Sequence, residues 1–175
     1  NGKDYDSYNY SIPLNGCVNY EEKLLTIPPY VLGTLLGDGS IKGGSVRLTS
    51  MDNDIFETVI KLLGDDYKYG YVEERVYKER LSLACRKTII YKNRFTNTDG
   101  FKNSRFGVNP LRRNLNSYGY IDSNTYNKFI HKDFLVNSKE NRIELLKGLM
   151  DTDGHVIKGQ CAYEYATVSK QLFLD

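Results

Sequence analysis

Apolar residues recur at helical spacing in three segments of the chain, 28–37, 51–63 and 139–152. Pro28 and Pro29 suit the first turn of a helix, because the N–H that proline lacks would have no partner there. The spacing in all three segments therefore predicts helices.

Polar and glycine residues mark where these helices should begin and end. Thr49 or Ser50 can cap the second helix and Ser138 the third, because a hydroxyl can accept a hydrogen bond from a free N–H of the first turn. Gly39 can end the first helix and Gly154 the third. Five apolar residues should form the buried side of the third helix: Ile143, Leu145, Leu146, Leu149 and Met150.

Alternating apolar and polar residues predict strands between the helices. The strands are expected over 40–49, 68–79, 81–91, 155–158 and 161–168. The remaining segments have weaker signals. We expect an extended arm over 1–23 with a strand near 8–12, a loop over 92–105, a short helix over 109–115, a turn or helix over 123–129, and a helix that begins at Ser169.

The first and third helices carry the same motif. Residues 31–39 read VLGTLLGDG and residues 146–154 read LKGLMDTDG, with glycine third and Asp-Gly at the eighth and ninth positions. Glycine inside a helix costs about 1 kcal/mol relative to alanine, so Gly33 and Gly148 predict a close contact between the two helices. Part of the element order repeats with the motif.

Packing of these helices would bring Asp38 and Asp153 together. Each aspartate would lie at a helix C-terminus, where the dipole is negative and carbonyl groups lack partners. Carboxylates and carbonyls are the oxygen ligands that hard divalent cations prefer. One Asp-Gly after a helix is more simply a C-terminal turn, but two at the same motif position are best explained as a pair.

Charge is distributed unevenly along the chain. Residues 68–113 contain twelve basic and four acidic residues, a net +8, while the rest of the chain carries −6. Basic residues there alternate with aromatic and β-branched ones, as in a basic ribbon that lies in the major groove of DNA. A solvated surface is the simpler alternative. The candidates for DNA contact are Arg47, Arg75, Lys78, Arg80, Arg86 and Lys87. Since side chains alternate across a strand, only one set of them can face the duplex.

Cysteine spacing and hydropathy bear on the compartment. Cys17, Cys85 and Cys161 are far apart, and with His131 and His155 they lack the spacing of structural zinc sites, so we expect free thiols in a reducing compartment. No uncharged stretch approaches the roughly 20 residues that span a bilayer, and no secretion signal is evident. We expect no membrane partner and a cytoplasmic location, associated with the nucleoid if the chain binds DNA.

Four segments, in order, resemble the blocks of the LAGLIDADG (dodecapeptide) homing endonucleases, and more narrowly the endonuclease domain of inteins. PYVLGTLLGDGS at 29–40 resembles the first block and residues 145–154 the second. KFIHKDFL at 128–135 resembles the block that precedes the second motif, with His131 in place of the usual proline. YATVSK at 165–170 resembles the Thr-x-Ser segment that follows it.

The resemblance implies an α+β fold. Its unit is a helix-strand-helix-strand-strand-helix module with a curved antiparallel sheet. Residues 1–23 would be an extended arm or a connection from a splicing domain, 24–137 the first module, and 138–175 the start of a second, incomplete module. A flanking intein splicing domain is an implied partner, although Asn1 is not a splicing nucleophile and no His-Asn pair closes the chain.

The resemblance also implies a function, that of a site-specific endonuclease that hydrolyses phosphodiester bonds of double-stranded DNA with Mg²⁺. Asp38 and Asp153 would be catalytic and would hold the metal, and Lys128 would stabilise developing negative charge or orient the attacking water. Gly33 and Gly148 would form the helix interface. With an incomplete second module, this chain alone could be inactive or could act as an oligomer.

Two other functions stay open at the level of sequence. The chain could be a non-cleaving DNA-binding module on the same scaffold, such as a decayed endonuclease or a regulator. It could also be a splicing or structural interaction domain with no nucleic-acid partner, but that function leaves the +8 block unexplained.

Overall fold

The computed structural model gives an α+β protein with antiparallel sheets over the residues that it describes. These are 13, 15–41, 45–74, 85–92, 109–121, 123–159 and 162–175, with the backbone alone for 71–74. In chain order the elements are α1 (Pro29–Gly37), β1 (Gly39–Ser40), β2 (Val46–Ser50), α2 (Asn53–Leu63), β3 (Tyr67–Glu74), β4 (Cys85–Tyr91), α3 (Pro110–Ser117), α4 (Lys132–Leu135), α5 (Lys139–Asp153), β5 (Gly154–Ile157), β6 (Ala162–Tyr165) and α6 (Lys170–Leu174).

Local sequence signals explain where three helices begin. α1 starts at Pro29, as predicted. α3 starts at Pro110, and the side chain of Asn109 accepts from the N–H of Leu111 at 3.0 Å. α5 is capped by Ser138, whose hydroxyl accepts from the N–H of Asn141 at 3.3 Å. These short-range interactions confirm the predicted starts.

The predicted cap of α2 is wrong. Thr49 and Ser50 belong to β2, and α2 begins after Asp52, whose side chain makes no capping hydrogen bond. Ser50 instead accepts from the N–H of Asp52 at 3.1 Å, which shapes the turn that leads into the helix. Sheet pairing through Ser50 has moved the helix start two residues along the chain.

A four-stranded antiparallel sheet has the order β1-β2-β4-β3. The prediction of a single strand over 40–49 is wrong, since β1 turns back and pairs with β2 as a hairpin, with Gly39 opposite Leu48. β4 then lies between β2 and β3, with Val46 and Tyr69 on either side of Ile89. The predicted strands over 68–79 and 81–91 correspond to β3 and β4, and residues 75–84 lie outside the described part.

The two helices that carry the repeated motif, α1 and α5, are each followed by a pair of antiparallel strands and a further helix. α1, the β1–β2 hairpin and α2 form a first repeat, and α5, the β5–β6 hairpin and α6 form a second. The N–H of Thr49 donates to the carbonyl of Asp38 at 3.2 Å, and the N–H of Ala166 donates to the carbonyl of Asp153 at 3.3 Å. The repeat in sequence is therefore a repeat in structure.

Equivalent residues of the two repeats are buried to different extents. Val31 in α1 is fully buried, whereas Leu146, at the same motif position in α5, is 55% exposed. Ile143 is also exposed, so the prediction that Ile143 and Leu146 lie on the buried side of α5 is wrong. The eleven residues of α2 and the strands β3 and β4 add to the core of the first repeat, whereas α6 has only five residues.

Between α3 and α5 the structure has the predicted turn, followed by a short helix that the sequence pattern does not predict. Residues 123–129 form a turn, in which the N–H of Asn127 donates to the carbonyl of Asn124 at 3.2 Å. The helix lies further on, at α4, where His131 accepts from the N–H of Asp133 at 3.3 Å. Histidine is not among the preferred capping residues, which is why this helix was not expected.

Other predictions are answered only in part. The strand near 8–12 and nearly all of the loop over 92–105 lie outside the described residues, as does Cys161. Cys17 and Cys85 are free thiols. Among the described helices none is both long and apolar enough to cross a membrane.

Candidate active site and nucleic-acid interface

The site is built on the contact between α1 and α5, the most extensive contact between helices in the described part. Gly33 and Gly148 lie where the two backbones are closest. A methyl group on Gly148 would overlap the carbonyl of Tyr30 and lie 2.9 Å from the backbone nitrogen of Thr34. Glycine is thus required on both helices for this separation, and the close contact brings their C-terminal ends together.

Asp38 and Asp153 meet at those ends. A methyl group on Gly37, the residue before Asp38, would lie 3.3 Å from Oδ2 of Asp153. Burial and the neighbouring Asp153 carboxylate raise the pKa of Asp38 from 3.8 to about 6, against an opposing attraction from Lys128. Burial also raises the pKa of Asp153, again opposed by Lys128. Two half-buried carboxylates that destabilise each other form a site that favours a cation.

Lys128 provides a positive charge at this site. Its side chain is buried, and its Nζ donates to the carbonyl of Gly37 at 2.6 Å and to that of Gly39 at 3.4 Å. These carbonyls lie at the C-terminal end of α1, where the dipole also favours a cation. Burial lowers the pKa of Lys128, while the carboxylates of Asp153 and Asp38 act in the opposite direction.

The second repeat holds the segment that carries Lys128. The buried hydroxyl of Ser169 donates to the carbonyl of Lys128 at 2.5 Å and accepts from the N–H of Leu172 at 3.3 Å, so it also caps α6. The N–H of Ile130 donates to Asp175 at 2.7 Å. The second repeat thus contributes Asp153 and also fixes the position of the lysine.

The donor set fits a small divalent cation. Two carboxylates converge beside helix-terminal carbonyls, which is the all-oxygen chemistry that Mg²⁺ takes while it keeps several water ligands. The described residues contain no cluster of three or more His, Cys, Asp or Glu side chains suited to a metal ion. At this site the two side chains with oxygen ligands for such an ion are Asp38 and Asp153.

One face of the four-stranded sheet carries basic residues. Arg47 is exposed and lies opposite Thr88, while Arg86 lies opposite Thr49 and donates to its hydroxyl at 3.3 Å. Lys68, opposite Ile90 on β3, is exposed on the same face. Arg47 and Arg86 were predicted as DNA contacts, whereas Lys68 was not, because the pairing register that places it there is not visible in local sequence.

Lys87 lies on the other face of the sheet. It is opposite the buried Leu48, and its Nζ lies 4.0 Å from the centre of the Phe56 ring and 3.3 Å from Oδ1 of Asn53. Its side chain therefore covers α2 rather than the face that carries Arg47. The other three candidates, Arg75, Lys78 and Arg80, lie outside the described residues.

Two further residues near the site were not expected to have a role. Ser169 was predicted only to start a helix and to lie in the segment that resembles the Thr-x-Ser block, and its bond to Lys128 spans 41 positions. Tyr165, on β6, carries a buried hydroxyl near both aspartates. Its position opposite Gly154 could be found from the hairpin register, but not the burial of its hydroxyl.

No protein-family model matches the chain. The chain is similar to a replicative DNA helicase, DnaB, of Mycobacterium intracellulare, with 25% identity over 167 residues. That match covers 95% of this chain but 21% of the helicase, so the chain spans about a fifth of the curated relative.

Proposed function

We propose that this chain is a LAGLIDADG-type endonuclease domain that cleaves double-stranded DNA with a divalent cation, as the endonuclease domains of inteins do. The observation that carries the proposal is the convergence of Asp38 and Asp153 at the ends of two closely packed helices, beside the buried Lys128. The helix-hairpin-helix repeat and the similarity to part of a protein named as a DNA helicase also support it.

In the proposed reaction the oxygen of a water molecule bonds to phosphorus as the bond from phosphorus to a sugar oxygen breaks. The water gives up a proton and the departing oxygen takes one up. A divalent ion bound by Asp38 and Asp153 would polarise the phosphate and lower the pKa of the water. Lys128, held against the end of α1, would stabilise the negative charge that develops on the phosphate oxygens.

Cleavage tests the site directly. Supercoiled plasmid carrying candidate target sites is incubated with the wild-type chain, Asp38→Asn and Asp153→Asn in Mg²⁺, and nicked and linear products are measured. We expect both variants to lose cleavage while they still bind DNA. Glu144→Gln, which removes a carboxylate from an exposed ion pair on α5, is the matched control and should cleave as the wild type does. Undiminished cleavage by both aspartate variants would refute the assignment.

DNA binding without cleavage is the second candidate function. It is favoured by the basic sheet face, since Arg47, Arg86 and Lys68 do not depend on the aspartate pair. Duplex binding by the wild-type chain with no product in Mg²⁺, at any target, would support this second function over the first.

Salt dependence tests the basic face. Each phosphate contact should contribute about −0.9 to the slope of log affinity against log salt, so Arg47→Ala with Arg86→Ala should flatten the slope by about two units. Lys132→Ala with Lys139→Ala is a matched control of equal charge. Lys132 and Lys139 lie on α4 and α5, outside the sheet that carries Arg47 and Arg86. The same flattening by both pairs would show generic basicity rather than a binding face.

A further inference from the structure

The hydroxyl group of Tyr165 is buried and has no hydrogen-bond partner among the described residues. In the described part its oxygen is inaccessible to solvent and makes no hydrogen bond, although the ring packs against the core. Three other half-buried or buried tyrosines do have hydrogen-bond partners for their hydroxyl groups. The hydroxyl of Tyr30 donates to Asp151 at 2.7 Å, that of Tyr69 donates to the carbonyl of Phe56 at 2.8 Å, and that of Tyr120 accepts from the N–H of His131 at 2.9 Å.

The unpaired hydroxyl lies beside the two carboxylates. Tyr165 is opposite Gly154 in the β5–β6 hairpin and therefore adjacent to Asp153. Burial, and then the charges of Asp153 and Asp38, raise the pKa of Tyr165 to about 12. A phenol has one O–H group with which to donate. It is near enough to both carboxylates to be affected by their charge, yet it donates to neither.

The first repeat has an apolar residue at the equivalent position. Leu48 lies opposite Gly39 as Tyr165 lies opposite Gly154, and Leu48 is fully buried. A buried polar group without a partner destabilises the folded state, so an apolar residue would be favoured at position 165 if only stability mattered. An unpaired donor at such a position is explained by an acceptor outside the protein, such as a bound water molecule or a ligand oxygen.

We propose that the hydroxyl of Tyr165 donates a hydrogen bond to an oxygen ligand of the cation held by Asp38 and Asp153, so that Tyr165 is a positioning residue of the site. The inference rests on the proposed function for the presence of that cation. The oxygen belongs either to a water molecule on the metal or to the phosphodiester, and both would accept from the same donor.

Mn²⁺ titration by calorimetry tests this without any turnover. The full chain, Tyr165→Phe, Tyr69→Phe and Asp38→Asn are compared. Loss of a group that orients a metal ligand typically weakens metal affinity about 10-fold, which is the change expected for Tyr165→Phe. Tyr69→Phe removes a hydroxyl on β3 that is paired with the carbonyl of Phe56 and should leave Mn²⁺ affinity unchanged. Asp38→Asn should abolish binding.

The titration is repeated with duplex DNA present to identify the oxygen. A loss of affinity with Mn²⁺ alone identifies metal-bound water, and a loss that appears only with DNA identifies the phosphodiester. The thermal stability of Tyr165→Phe should stay equal or rise, because no native hydrogen bond is removed. A fall in stability without a change in metal affinity would show a structural role and overturn the inference.

Failure of the inference is distinguishable from failure of the proposed function. If Asp38→Asn abolishes Mn²⁺ binding and Tyr165→Phe changes affinity neither with nor without DNA, only the role of Tyr165 is refuted. If Asp38→Asn binds Mn²⁺ as the wild type does, the metal site itself is refuted, and the inference is refuted with it.

Discussion

Replacing Asp38 with asparagine should stabilise the metal-free protein at neutral pH. Asp38 is half-buried beside Asp153, and its pKa is raised from 3.8 to about 6. Above pH 6 the folded protein must therefore hold an ionised carboxylate that burial and Asp153 disfavour. Asparagine has a similar shape and no charge, so the variant avoids this cost.

The sign and size of the effect follow from linkage. Because the pKa of the folded state is raised, the contribution of protonated Asp38 to stability is complete below about pH 4 and is lost as the pH rises through about 6. A shift of this size corresponds at most to about 3 kcal/mol, which solvent screening at a half-buried site reduces to about 1 kcal/mol. We expect the variant to exceed the wild type by that amount at neutral pH and to match it at about pH 4.

Urea unfolding in EDTA at several pH values measures the difference. Saturating Mg²⁺ should reverse the order, because a ligand that binds the folded state stabilises the protein that retains both carboxylates. The control is Asp133→Asn, which removes a partly exposed carboxylate that is paired with Lys23. A variant that is less stable than the wild type at neutral pH in EDTA, or a difference that does not change with pH, would refute the reasoning.

Three further substitutions test the packing around the site. Gly148→Ala should cost about 3 kcal/mol in urea unfolding, since the new methyl group would force α1 and α5 apart, whereas Gly16→Ala, with no atom within 4 Å, should cost little. Val31→Glu should prevent folding as judged by circular dichroism, but Leu146→Glu, at the equivalent exposed position, should be tolerated within about 0.5 kcal/mol. Asn137→Ala should cost about 3 kcal/mol and expose residues 15–23 to proteases, because the buried amide bonds Lys23 through both its oxygen and its nitrogen.

Sequence signals of short range predicted most helix starts in this fold. Pro29, Pro110 and Ser138 act within one turn of their helices, and none of them lies in a strand whose pairing competes with the helix start. The failures come from long-range interactions. The hairpin between β1 and β2 was missed because β1 has only two residues, too few to show an alternation of their own, and the cap of α2 was misplaced because pairing with β4 holds Ser50 in a strand.

The candidate site divides in the same way. The repeated motif was enough to predict that Asp38 and Asp153 converge, because identical spacing on two packed helices places both at the same end. The face that Lys87 occupies depends on the register of β4, which local sequence does not specify. The unpartnered hydroxyl of Tyr165 is a property of the packed structure, so no pattern along the chain indicates it.

The two repeats contribute differently to the site. The first supplies most of the buried core and an apolar residue, Leu48, beside its aspartate, whereas the second supplies Tyr165 and, through Ser169, the position of Lys128. Substitutions in the core of the first repeat therefore affect the fold before they affect the site. Polar substitutions at Tyr165 or Ser169 alter the surroundings of the carboxylates while the helix contact at Gly33 persists. Substitutions in the second repeat can therefore change the surroundings of the carboxylates with little change in the stability of the fold.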